Sequence, residues 1–178
     1  MSAHYAFGLA GILVAFSSIL VSVVLSPSFN WNANAVSELG TGNASAIFNS
    51  GLVIAGALIL IFSSELSKNI GSSPAGKLGV IFTMLSSASL ALVGLFNGSY
   101  GSLHVLVSTS FFIFSWLSAF LMGIHFISGN LKFLGMLALF CAAGFAVVWL
   151  SGFPFALKEI ISSASAAFWI AFAETSDS

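Results

Sequence analysis

Apolar residues in this chain run in long unbroken blocks, and the polar residues collect between them. Six blocks stand out, at approximately 5–25, 46–66, 77–97, 103–127, 131–151 and 155–173. Each is bounded by Gly, Pro, Asn, Ser or a charge. A helix needs roughly 20 apolar residues to cross the hydrocarbon core of a bilayer. A membrane β-barrel would instead alternate apolar and polar residues along each strand. These blocks are continuous and rich in Leu, Ala, Ile and Phe, so the pattern predicts helices. The expected fold is an all-α, polytopic integral membrane protein: a single domain over 1–178, built as a bundle of six transmembrane helices. The first block is longer than the apolar core of a secretion signal, and no Lys or Arg precedes it. It is expected to be a retained first span.

Composition sharpens this picture. Soluble domains are about a quarter charged, whereas this chain is 5% charged and 58% hydrophobic. Four lysines and five acidic residues give a net charge of −1. No basic patch exists, which excludes nucleic acid as a partner. The expected partners are membrane lipids and other membrane-protein subunits. Lys68 and Lys77 flank the connection between spans 2 and 3, and Lys132 lies between spans 4 and 5. The positive-inside rule puts these connections in the cytoplasm. Both termini then face the cytoplasm in a multi-pass protein of the cell membrane. Lys158, beside Glu159, is the exception. The connection between spans 1 and 2 is the longest outward one. In it Trp31 is expected to anchor at the interface, and residues 33–39 to form a short helix stopped by a left-handed Gly40.

Several spans carry stripes of small or polar residues. His104, Ser108, Phe111, Ser115, Ser118, Met122 and His125 recur at spacings of four and three along span 4, which keeps them on one helical face. Similar stripes are Gly8, Gly11, Ala15, Ser18 and Ser22 in span 1; Gly79, Thr83 and Ser86 in span 3; and Gly135, Ala138 and Ala142 in span 5. Small residues let membrane helices approach closely, and hydroxyls can bond across the gap. Close packing is therefore the plain explanation of these stripes.

Most remaining chemistry falls at the outward ends. Ser37, Glu38, His104 and Glu159 have the components of a nucleophile, base and orienting carboxylate, and are the candidate catalytic residues. Asn49, Asn97, Ser108, Ser115 and Lys158 are candidate ligand-lining residues. The structural alternative is that His104 is a hydrogen-bonded residue at a helix mouth. Glu159 would then complement a helix dipole, or form a solvated interfacial pair with Lys158.

Some of these residues also carry a resemblance. The run Asn34-Ala-Val-Ser37-Glu38-Leu39-Gly40 is followed by Ile47-Phe48-Asn49-Ser-Gly51 at the start of span 2. Gly94-Leu-Phe96-Asn97 precedes His104, and Glu159 follows Pro154. Together these resemble an uncharacterised prokaryotic membrane-protein family, domain-of-unknown-function family 998, over nearly the whole chain. That pattern usually has Asp where Glu38 stands, and often Pro where Asn97 stands. The resemblance implies six spans and a polar cluster at the outer face. It implies no established activity.

Cofactors and metals are not expected. His104 and His125 lie roughly 30 Å apart along one helix, so they cannot share a ligand. His4 and His125 without a carboxylate make a weak metal pair. No Gly-rich nucleotide loop occurs. Cys141 reads as a small hydrophobe within an apolar run. No charge falls at the middle of a span, which disfavours ion coupling. Three readings of function remain, in this order. The first is an accessory, assembly or scaffold subunit of a larger membrane complex, suggested by the small-residue stripes. The second is an enzyme acting on a lipid or lipid-linked substrate at the outer leaflet, which needs His104 within reach of a carboxylate. The third is a carrier for a neutral or amphiphilic solute, which needs a central cavity lined by the span 4 serines.

Overall fold

A computed structural model describes residues 3–173. Among them are six α-helices: α1 (Ala3–Val24), α2 (Ser45–Asn69), α3 (Pro74–Leu95), α4 (Ser102–Ser128), α5 (Lys132–Leu150) and α6 (Phe155–Ala173). Two 3₁₀ turns, Val36–Gly40 and Gly98–Tyr100, sit in the α1–α2 and α3–α4 connections. Helices α1 to α5 are long and apolar enough to cross a membrane. Helix α6 carries Lys158, Glu159 and three serines within its span. Glu174 and Asp177 lie outside the described residues, as does the side chain of His4.

Local sequence explains where the helices begin and end. Ser73 caps α3 by accepting from the Gly76 N–H at 3.2 Å, with Pro74 at the first helical position, where its missing N–H costs nothing. Gly71 and Gly101, with φ of 69° and 54°, take the left-handed turns after α2 and before α4. The expected left-handed Gly40 is not found: the short helix spans Val36–Gly40 and is closed by Thr41. The Thr41 N–H and hydroxyl both donate to the Glu38 carbonyl, at 3.0 and 2.9 Å. Gly40 has a different task. A Cβ there would fall 2.6 Å from Asn49 Oδ1, so the turn can press against α2 only without a side chain.

Helices α1, α2, α3 and α4 pack in sequence, each against the next. Helix α5 lies against α4, and α6 lies against α5. Helix α6 also touches α4 and, more lightly, α1, which closes a ring of α1, α2, α3, α4 and α6 with α5 outside it. This up-and-down order puts both 3₁₀ turns and the start of α6 at one end. Lys68, Lys77 and Lys132 gather at the other end.

The bundle reverses the pattern of a soluble core. Large apolar side chains point outward, with Leu150 90%, Val24 79% and Phe140 75% exposed. Ser22, Ser63, Ser118 and Ser162 are fully buried. Lipid solvates apolar side chains as well as a core does, so close approach and hydrogen bonding, rather than apolar burial, hold such helices together. The stripes do face inward as their spacing predicts. A Cβ at Gly51 of α2 would collide with Ser18 of α1, and one at Gly56 would lie 2.6 Å from the Ser87 carbonyl of α3. Between α3 and α4, Thr83 and Ser118 bond at 2.7 Å, and Ser86 and Ser115 at 2.6 Å. The indole of Trp116 ties α4 to the Ala142 carbonyl of α5, and that of Trp149 ties α5 to Ser162 of α6.

Candidate functional site

The ring of helices does not fill its own centre. A partly enclosed cavity of about 110 Å³ lies between α1, α2, α3, α4 and α6, beneath the turn Val36–Gly40. Its wall is mostly apolar, with Ile19, Leu52, Leu90 and Val93 among the aliphatic residues and Phe16, Phe48, Phe111, Phe112 and Trp169 as aromatic ones. The lining residues of α2 and α3 are buried. Those of α1 and α6 include half-exposed Ile12, Phe16, Ile160, Ser163, Ala166 and Ala167. Together with the light α1–α6 packing, this makes the seam between α1 and α6 the thinnest part of the wall.

Serines also line the cavity, yet few offer free hydrogen bonds. Ser115 and Ser118 are engaged with Ser86 and Thr83. Ser87 donates back to the Thr83 carbonyl, and Ser108 to the His104 carbonyl. A hydroxyl bonded to the preceding turn of its own helix presents little polarity to a neighbour.

Among the described residues, Glu159 is the one ionisable side chain in the wall. It is only 6% exposed. Its Oε2 accepts the Val36 N–H at 2.5 Å, and Ser37 lies beside the carboxylate. The first N–H groups of a helical turn have no partners within it. A carboxylate from α6 therefore completes the start of a turn that lies more than a hundred residues earlier in the chain. That bond fixes the turn over the cavity.

The other candidate residues divide. Ser37 and Glu159 are brought together, and Glu38 lies close enough to act on the Glu159 charge. Glu38 itself is exposed and serves its own turn: it accepts from the Ala35 N–H at 2.9 Å and from the Asn34 amide at 2.7 Å. His104 does not join them. It is buried, and its Nδ1 donates to the Phe96 carbonyl at 2.8 Å, bracing the α3–α4 connection. The carboxylate partner expected for it is absent among the described hydrogen bonds, and its Nδ1 is taken by the Phe96 carbonyl instead. Asn49 donates from Nδ2 to the Gly40 carbonyl at 2.9 Å and so holds the first 3₁₀ turn to α2. Asn97 caps the second turn by accepting from the Ser99 N–H. Ser108 and Ser115 line the cavity as expected; Asn49, Asn97 and Lys158 do not. Lys158 parts from Glu159: its Nζ reaches toward the Trp149 carbonyl at 3.4 Å, while Glu159 turns inward. The expected solvated pair does not form. Trp31 is half-buried against the core, edge-on to Phe29 at 5.1 Å.

One side of the site escapes a reading of the sequence that finds stripes in spans 1, 3, 4 and 5 alone. Ala156, Glu159, Ser163, Ala166 and Ile170 recur at spacings of three and four along α6, the same stripe as in α4. All but Ala156 line the cavity. That spacing was the available signal for the α6 wall.

The fold and site define a helical membrane protein with an internal, mainly apolar cavity. A family model described as "Protein of unknown function (DUF998)" matches residues 9–174, and the chain belongs to that family. No curated protein and no solved structure matches it.

Proposed function

We propose that the protein holds a small apolar or amphiphilic molecule in its central cavity and acts as a membrane carrier or binding protein for it. The observation that carries this reading is the cavity itself, lined by Ser108, Ser115 and Ser118 of α4 and closed by Glu159 and Val36. A well-packed bundle of these helices would have removed the idea. Dry apolar cavities of comparable size in other proteins take up single ring-sized molecules.

The two competing readings have less behind them. An enzyme at this site would need His104 beside a carboxylate, and its Nδ1 is engaged with a backbone carbonyl instead. An accessory-subunit role was motivated by the small-residue stripes, and those stripes are occupied within the chain by neighbouring helices.

In this reading α6 is the sixth span, both termini face the cytoplasm, and the 3₁₀ turns lie at the outer face of the cell membrane. The thin seam between α1 and α6 then gives the ligand a route from the surrounding lipid.

Photolabelling tests the reading. Protein in lipid nanodiscs is treated with a diazirine-bearing fatty alcohol and the labelled residues are mapped by mass spectrometry. Labels on cavity residues of α1, α4 and α6, suppressed by Ala166→Phe, are expected. Ala166→Phe adds a ring to the wall without removing a hydrogen bond. Labels confined to outward-facing residues such as Phe140 and Leu150, unchanged by the substitution, would overturn it.

A further inference from the structure

We infer that the cavity selects a cationic ligand: an ammonium group on a small apolar stem, seated with its charge at Glu159. The inference rests on the ligand-binding reading above and adds the chemistry of the ligand to it.

The first observation is a buried carboxylate with no positive partner among the described residues. No described Lys, Arg or His lines the cavity with Glu159. The adjacent Lys158 is turned away to the Trp149 carbonyl, and His104 is committed to Phe96. Nearby Glu38 adds a second negative charge rather than a compensating one. The Val36 N–H donates to one oxygen of the carboxylate. A carboxylate offers about four lone-pair directions, so acceptor capacity is left over. A buried carboxyl is either protonated or paired with a positive charge, and a cation in the adjoining cavity supplies the partner that keeps Glu159 ionised.

The second observation is the wall. Five aromatic rings, those of Phe16, Phe48, Phe111, Phe112 and Trp169, surround the space. Aromatic faces attract cations, and quaternary ammonium groups most characteristically, through the ring quadrupole. An apolar wall alone would take a neutral hydrocarbon equally well. An aromatic wall beside a lone carboxylate favours the cation.

The volume limits the ligand. A cavity of about 110 Å³ is smaller than the engineered pocket of ~150 Å³ that holds benzene. It suits an ammonium at Glu159 with a few methyl or methylene groups around it, and any longer chain must leave through the α1–α6 seam. The same ammonium chemistry occurs in free amphiphilic amines and in amine-bearing lipid head groups.

The test uses two probes of one shape that the cavity can hold: tetramethylammonium and its neutral carbon isostere, neopentane. Each is titrated into the full-length protein in phosphatidylglycerol nanodiscs, with empty nanodiscs subtracted. The expected result is that the ammonium binds at least about tenfold more tightly than the isostere, and that Glu159→Gln removes the difference. Gln keeps an acceptor for the Val36 N–H, and Glu159→Asp, which keeps the charge, is expected to keep the preference. Equal binding of both probes to the unaltered protein would overturn the cationic inference and leave the cavity reading standing. Binding of neither would overturn both. The comparison in the unaltered protein decides even if Glu159→Gln fails to fold. Adding phosphatidylethanolamine to the nanodiscs separates the sources: competition with the probe assigns the site to a lipid amine, and undiminished binding assigns it to a free amphiphilic amine.

Discussion

The carboxylate of Glu159 and the backbone N–H of Val36 meet at 2.5 Å across 123 positions of sequence. This contact joins the start of α6 to the α1–α2 connection and sets a 3₁₀ turn over the central cavity. Without it the turn would present an unpaired N–H group to an apolar interior.

The first prediction follows from that contact. Glu159→Ala leaves the Val36 N–H without its acceptor. A buried donor stripped of its partner costs about 1–3 kcal/mol. Glu159→Ala is expected to lower the unfolding midpoint in mild detergent, and Glu159→Gln to lower it much less. Hydrogen exchange at Val36 should accelerate in the Ala variant only. An unchanged exchange rate there would show that the turn is held by other contacts, Asn49 to Gly40 foremost.

A second prediction concerns the hydroxyl pairs between α3 and α4. Thr83 and Ser118 bond at 2.7 Å in the bundle interior. A double-mutant cycle with Thr83→Val and Ser118→Ala should give a coupling of about 0.6 kcal/mol, and no more than about 1.7 kcal/mol, the range for interhelical hydrogen bonds in membranes. Unfolding in detergent or bicelles measures it. A coupling near zero would mean that each hydroxyl is as well satisfied by its own helix, as Thr83 already is by the Gly79 carbonyl at 2.8 Å.

Much of this architecture was legible in the sequence, for a simple reason. A bilayer demands continuous apolar length, so block boundaries and helix ends nearly coincide; the block at 103–127 became α4 at Ser102–Ser128. The stripes were equally readable, since spacings of three and four leave no other face for Ser115 and Ser118. The site was legible only in part. Ser37 and Glu159 were identified by residue type, but Glu159 is held by the backbone N–H of Val36, which no side-chain pattern announces. His104 takes the structural alternative, a hydrogen-bonded residue at a helix mouth, and its partner, the Phe96 carbonyl, is likewise invisible in sequence. The apolar wall could not be told from ordinary packing, because Phe and Leu fill cavities and line them alike. Gly40 was read only as a left-handed cap; its close approach to Asn49 depends on tertiary packing that no local pattern announces.

A third prediction addresses topology. In a Cys141→Ser background, Ser28→Cys lies in the α1–α2 connection and Ser72→Cys between α2 and α3, both at exposed positions. A membrane-impermeant maleimide applied to intact cells should label the cysteine at 28 and spare the one at 72. Labelling at 72 would require the lysine-bearing end, with Lys68, Lys77 and Lys132, to face outward against the positive-inside rule.

The central claim is that Glu159 and Val36 close a cavity that holds a ligand. The most direct measurement is a crystal structure of the protein grown from a lipid mesophase. The account predicts continuous density inside the ring of α1, α2, α3, α4 and α6, reaching the Glu159 carboxylate, with Val36 still bonded to it. A collapsed interior, with Phe16, Phe111 and Trp169 packed into the space and no density beside Glu159, would contradict it.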